Sequence, residues 1–386
     1  MKSFRIGLLP RIIIAIVLGV LFGQFLPLSV VRIFTTFNGL FGEFLSFCIP
    51  LIILGLVSVA IAGIGKGAGR MLFITVAIAY GATIFSGGLA YITSIFTFPS
   101  LIDTSQSLQS ITESSITPLP YFSIKIPPLL NVMTALVLAF LLGLGMASLT
   151  SNALKKSCED FEQIITKVIT SVIIPALPIY IFGIFLEMTF TGKAWSIMMV
   201  FIKIIGVIFL LHIGLLVLQY TIAGLIARRN PFRLLWTMLP AYFTALGTQS
   251  SAATIPVTLE QTQRNGVAPH VAGFVVPLCA TIHLSGSTLK IVSCAVALMM
   301  MLGMPIDTLQ FVGFILMLGI TMVAAPGVPG GAIMACLGIL SSILGFDESS
   351  QALMIALYIA MDSFGTACNV TGDGAIALIV NKLVKL

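Results

Sequence analysis

The chain has 386 residues, of which 58% are hydrophobic and only 8% charged, against roughly 25% charged residues in an ordinary soluble domain. That excludes a water-soluble fold. Apolar runs longer than about 18 residues recur from end to end, each able to cross a ~30 Å hydrocarbon layer as a helix, so the expected fold class is all-α and polytopic in a membrane.

The net charge of +6 implies no nucleic-acid partner, because the basic residues sit at the ends of the apolar runs, where the positive-inside rule puts them. In chain order, the first run begins at Ile12 after Lys2, Arg5 and Arg11. It has the character of a signal sequence, yet no small-residue cleavage site follows, and it is read as a retained first span. Apolar runs cover 10–27, 34–64, 69–97, 128–150, 160–191 and 194–227. Lys2, Arg5, Lys66, Arg70, Lys155, Lys156, Arg228 and Arg229 then all fall on one side, taken as cytoplasmic, and the Ser-, Thr- and Pro-rich loop 98–126 lies opposite.

After these six spans the alternation breaks. The stretch 231–263 has Arg228, Arg229 and Arg233 around its start and Arg264 after its end. Both ends belong on the cytoplasmic side, so the segment enters and returns, with the small polar run Thr248–Thr254 at its tip. The stretch 308–345 mirrors it, with Asp307 before, Asp347 and Glu348 after, and Pro326–Gly331 in the middle. Between the hairpins, 268–303 is interrupted at Thr281–Ser287, and the last segment, 350–381, is interrupted at Asn369–Asp373. Each half is a hairpin plus a broken helix in opposite orientation. Such inverted, interrupted pairs point to a transporter site near the bilayer midplane.

The ionisable residues left inside the spans are Glu43, Lys203, His212, His283, Lys290, Asp362 and Asp373. A charge there costs roughly 2.5–3.5 kcal/mol even on lenient insertion scales, so a functional reason is the default. Glu43, Lys203 and His212 lie on ordinary apolar helices and are read as structurally paired or snorkelling groups. Asp362, Thr366, Asn369 and Asp373 follow at spacings of four, three and four, which is one helical face. Asp373, beside Asn369 and Gly372, suits a hard cation such as Na⁺, while Asp362 suits an amine. Two aspartates on one helix, about 16 Å apart at 1.5 Å per residue, cannot converge on one water as an intramembrane protease requires, so no enzyme is read. No Walker-type run supports ATP coupling, and a passive channel would need rings of like groups along a pore. The six cysteines have no metal-ligand spacing and are read as free thiols.

Four pieces resemble the dicarboxylate/amino-acid:cation symporter family, the glutamate-transporter homologues. They are Thr248–Pro256, Pro277–His283, Gly327–Gly330 and Asp362–Asp373, in that order and at compatible spacing. The resemblance implies eight transmembrane helices plus two re-entrant hairpins, an elevator mechanism, and a homotrimer in a prokaryotic inner membrane, in contact with its lipid. It assigns 1–68 and 128–191 to a scaffold, and 69–97, 194–228, the inner hairpin 231–264, the broken span 268–303, the outer hairpin 307–346 and the broken span 349–386 to a transport domain. By resemblance, Asp362 binds the substrate's amino group and Asn369 its carboxylate, and Gln249, Ser250, Ser251, Ser287, Val328 and Thr366 complete the pocket. Asp373 is implied as a side-chain sodium ligand, helped by carbonyls of Cys279, His283 and Asn369. A second sodium is implied at backbone of Thr281, Leu284, Met322, Val323 and Ala325.

The departures sharpen the expectation. Members that carry acidic amino acids have an arginine three residues after the amine-binding aspartate; here that position is Gly365, and Gln249 stands where several members have another arginine. Without that bidentate fork, a small neutral amino acid such as serine, threonine or alanine is the expected substrate, as in the similar serine/threonine branch. The family's break segment reads His283-Leu-Ser-Gly-Ser287 here, with Ser285 in place of an aspartate, and Ile84 replaces a hydroxyl residue near Tyr80 and Thr83. A third sodium site is therefore expected to be absent, with a proton on His283 as an alternative coupling ion. Lys290, one turn beyond Ser287, is placed to pair with Asp362 or to attract a carboxylate, which keeps a dicarboxylate or acidic amino acid as the alternative substrate.

Overall fold

The computed structural model describes residues 8–64, 69–102, 118–192, 194–323, 325 and 329–384. Among these, all regular structure is helical. In chain order the helices are α1 (Leu8–Phe22), α2 (Leu28–Ile64), α3 (Gly69–Thr97), α4 (Val132–Ser148), α5 (Ala153–Phe190), α6 (Ala194–Ala227), α7 (Pro231–Thr237), α8 (Leu239–Thr248), α9 (Ser251–Arg264), α10 (Pro269–Ile282), α11 (Ser285–Met301), α12 (Thr308–Val323), α13 (Gly331–Leu344), α14 (Glu348–Ala360) and α15 (Asp362–Val384).

Five described stretches are long and apolar enough to cross a membrane: Leu28–Ala62, Arg70–Ser100, Ala153–Phe190, Met198–Ala227 and Pro269–Met301. The pair α14 and α15, bent by 62°, makes a sixth, while α1 and α4, at 15 and 17 residues, are shorter than the usual span. Large apolar side chains such as Phe73, Phe96, Leu210 and Leu225 on α3 and α6 face outward, as a hydrocarbon solvent allows. The larger core joins α1, α2, α4 and α5 to α11–α14, and the smaller one gathers α8, α10 and α15 against α3 and α6.

Local chemistry sets the irregular points. In α5 a π turn at Ile169–Ile173 precedes Pro175, whose missing N–H removes one rung of the ladder. Left-handed Gly345 ends α13, with Phe346 N–H donating to Leu340 O at 3.2 Å and Gly345 N–H to Ser341 O at 3.0 Å. The first expected hairpin corresponds to α7–α9. Its turn is narrower than the polar run suggests: α8 ends at Thr248, Gln249 takes a left-handed conformation (φ 54°), and Ser250 caps α9 by accepting from Ala253 N–H at 3.3 Å. An additional break at Met238 separates α7 from α8. The second expected hairpin corresponds to α12 and α13; Pro326, Gly327 and Val328 in its middle lie outside the described residues.

The expected interruption between α10 and α11 falls at His283–Leu284. The last segment differs from expectation: its break lies at Met361, and Asn369–Asp373 are helical within α15. A polar run opens a helix only where its side chains lack better partners. Here Asn369 and Asp373 are held by groups at the neighbouring break, so the backbone of α15 keeps its ladder.

Candidate functional site

The break between α10 and α11 leaves helix-start N–H groups needing acceptors. Asn369 of α15 supplies one: its Oδ1 accepts from Gly286 N at 2.8 Å and Ser287 N at 3.3 Å, while its Nδ2 donates to Ser287 Oγ at 3.1 Å. Close approach requires Gly286, where a Cβ would lie 2.7 Å from Gly365 O and 2.7 Å from Cys368 Cβ. His212 of α6 closes the other side, its Nε2 2.9 Å from Gly286 O. Ser287 Oγ also meets Tyr358 OH at 3.0 Å.

Asp362 opens α15 at the 62° bend and is buried. Its Oδ1 accepts from Lys290 Nζ at 2.9 Å and its Oδ2 from Gly330 N–H, immediately before α13, also at 2.9 Å. Lys290 is fully buried, and its Nζ sits 3.4 Å from the centroid of the Tyr358 ring. The lysine fills the space above Gly365: a Cβ on that glycine would lie 2.7 Å from Nζ. Asp362, Thr366, Asn369, Ser287, Tyr358 and Gln249 border one cavity of about 30 Å³, together with Ser251, Ala280, Leu284, Ala325 and Ala332. That is room for about two waters. Gln249 reaches it from the inner hairpin and is fixed by Nε2 donating to Ser363 Oγ at 2.9 Å.

Eleven residues along α15, Asp373 is buried too, and its Oδ1 accepts from His283 Nδ1–H at 2.8 Å. The other ring nitrogen of His283, Nε2, is buried and has no partner among the described residues. Beside it, Gln219 Nε2 donates to Ser285 Oγ at 3.2 Å, and a Cβ on Gly372 would press on both Gln219 Oε1 and His283 Cε1 at 2.7 Å. No three His, Cys, Asp or Glu side chains converge among the described residues. A cation here would be held by one carboxylate and by main-chain oxygens, a donor set suited to a hard monovalent ion rather than zinc. Cys279 O, one such oxygen, accepts from His283 N at 2.8 Å.

Ala325 lines the cavity, Met322 O accepts from Ala325 N at 3.2 Å, Val323 ends α12, and Thr281 binds its own helix through Leu278 O at 2.8 Å. Val328 lies outside the described residues. Of the other intramembrane groups, Glu43 accepts from Ile126 N at 3.0 Å, Lys203 donates to Leu101 O at 3.5 Å, and His212 belongs to the site. All six cysteines are free. Sequence reasoning missed Tyr358, Ser363, Gln219 and Tyr220, whose hydroxyl donates to Thr371 O at 2.7 Å.

Residues 8–383 match the Sodium:dicarboxylate symporter family. The chain belongs to this family. It is a symporter and not an enzyme, and a multi-pass membrane protein. Among its relatives are the serine/threonine transporter SstT of Acinetobacter baumannii, 27% identical over 96% of this chain and 95% of that protein, and neutral amino acid transporter B(0) of Rattus norvegicus, 33% identical over 42% of this chain. The rabbit (Oryctolagus cuniculus) transporter B(0) is 34% identical over the same share. The aligned part spans 29% of the length of the two mammalian relatives.

Proposed function

We propose that this protein imports a small neutral amino acid, of the serine, threonine or alanine type, together with Na⁺, by an elevator movement within a homotrimer. The observation that carries the reading is the composition of the cavity wall. Asp362 is its one carboxylate, Asn369, Ser287, Thr366 and Gln249 supply amides and hydroxyls, and no guanidinium lines it among the described residues. In this reading Asp362 takes the substrate's ammonium, Asn369 its carboxylate, and the hairpin tips at Gln249–Ser251 and around Val328 close over it. The names of the relatives, serine/threonine transporter and neutral amino acid transporter, support the same substrate class. In this reading a hairpin lifts to admit the substrate, as suits a carrier whose site opens to one side at a time.

Sodium enters as co-substrate at Asp373 with the carbonyls of Cys279, His283 and Asn369, and at a second position with backbone of Thr281, Leu284, Met322, Val323 and Ala325. The third family site is read as lost, because Ser285 supplies no carboxylate and its hydroxyl is engaged by Gln219. Purified protein in liposomes, assayed by counterflow against a panel of amino acids and dicarboxylates under Na⁺, H⁺ and K⁺ gradients, tests the reading. Serine counterflow that requires Na⁺ supports it; robust aspartate uptake untouched by excess serine overturns it. A second reading, an acidic amino acid or dicarboxylate, is favoured by one observation: the Lys290 ammonium lies where a side chain on Gly365 would begin. Uptake driven by a pH gradient alone, and lost in His283→Asn, would replace one sodium by a proton.

A further inference from the structure

Both oxygens of Asp362 are engaged by the protein itself. Lys290 Nζ holds one at 2.9 Å and Gly330 N–H, at the outer hairpin, holds the other at 2.9 Å. The lysine is fully buried, its ammonium lies against the Tyr358 ring, and Gly365 carries no side chain that could displace it. The seat that the proposed function gives to the substrate's ammonium therefore holds an ammonium already, tethered by a side chain.

We propose that Lys290 is a built-in stand-in for the substrate's ammonium group. In the empty carrier it pairs with Asp362, and Asp362, held in place, pins the outer hairpin through Gly330 N–H. A buried carboxylate with no cation is strongly disfavoured, so a site without this lysine would need a bound cation before it could close. With it, the empty site closes unaided. An arriving amino acid splits the pair: its ammonium takes Asp362, and Lys290 turns to balance the carboxylate that Asn369 holds. The count of formal charges in the pocket is zero before, one cation and one anion, and zero after, two of each. An amine or a carboxylate alone would leave one buried charge without a partner, so the pair also makes the pocket select zwitterions. No titration is involved, since lysine and aspartate exchange partners, not protons.

The inference rests on the neutral amino-acid reading for its substrate, and its test has one arm that needs no substrate. In proteoliposomes, Lys290→Met is expected to lower net serine uptake at least tenfold more than it lowers serine–serine exchange, because exchange never requires the empty carrier to close. Equal loss of both, or no change in their ratio, overturns the proposal. The second arm labels a cysteine at the cavity wall, Ala332→Cys, with a maleimide in the absence of substrate and reads the modified site by mass spectrometry. Labelling should rise severalfold in Lys290→Met and return to the starting level in Lys290→Met/Asp362→Asn, where the asparagine carbonyl can still accept from Gly330 without a charge to balance. Labelling that does not respond to Lys290→Met overturns the stand-in role. If the parent protein exchanges no serine, the amino-acid reading falls while the labelling arm still decides the role of Lys290.

Discussion

Helices α3 and α11 pack side by side; α3 reaches its neighbour α12 through two tyrosines, Tyr80 OH donating to Leu316 O at 3.2 Å and Tyr91 OH meeting Thr308 Oγ1 at 3.0 Å, but its bonded serines and threonines are used differently from the bonded polar side chains of α11. On α3, Thr75, Thr83 and Ser86 donate to the backbone of their own helix, at Met71, Ala79 and Thr83. On α11, Ser285, Ser287 and Lys290 bond to α6, α14 and α15. A hydroxyl bonded within its own turn is satisfied in any surroundings and specifies nothing. One bonded across helices is satisfied in a single arrangement and fixes that arrangement. Helix α3 exposes Phe73, Phe85 and Phe96, whereas α11 is buried almost throughout. Polarity in this protein marks the interior and the site, the reverse of a soluble domain.

The contrast can be broken most sharply at Asp362. Asp362→Ala leaves Lys290 buried without its anion, and thermal unfolding in detergent should register a loss of about 3–5 kcal/mol together with abolished transport. Adding Lys290→Met should recover most of the stability and none of the transport; a double variant as unstable as the single one would mean that the pair is not what holds this region. Next in size, Asp373→Ala should raise the Na⁺ concentration for half-maximal serine uptake by about tenfold or more, since it removes the one charged ligand. An unchanged sodium dependence would remove Asp373 from the ion site.

Gly365→Ala places a Cβ 2.7 Å from the Lys290 ammonium and should cost roughly 1–3 kcal/mol. That cost should shrink in a Lys290→Ala background, a coupling that a double-mutant cycle measures. The smallest effect belongs to α3. Thr83→Val removes only a bond to Ala79 O within the helix, so its unfolding free energy should move by no more than about 0.5–1.5 kcal/mol, and the ratio of net to exchange flux should not move at all. A change in that ratio would show that α3 shares the polar network after all.

Much of this arrangement was legible in the sequence because charge is scarce in it. With few ionisable residues inside the spans, the spacing of Asp362, Thr366, Asn369 and Asp373 stood out as one helical face, and all four are buried on α15. The turn at Thr248–Ser251 and the break near His283 were readable from small polar runs in apolar surroundings. The position of the last break was not. Asn369–Asp373 looks like an interruption in isolation and becomes ordinary helix once Asn369 caps α11 and Asp373 accepts from His283, partnerships between helices that local composition does not encode. The same limit explains Tyr358 and Gln219, apolar or amide residues on apolar helices whose roles come from what lies opposite. Lys290 was placed near Asp362 by helical spacing, but its choice of the carboxylate, and the glycine that makes room for it, required three helices to be assembled.

A membrane holds a voltage, and any unbalanced charge carried through it does work of about 2.3 kcal/mol per 100 mV. The Lys290–Asp362 pair presents no net charge to that field, with or without a zwitterion between its members. Current measured during transport would then report the accompanying ions and nothing of the pocket, and any voltage dependence in the return of the empty carrier would come from the emptied ion sites around Asp373 and not from this pair.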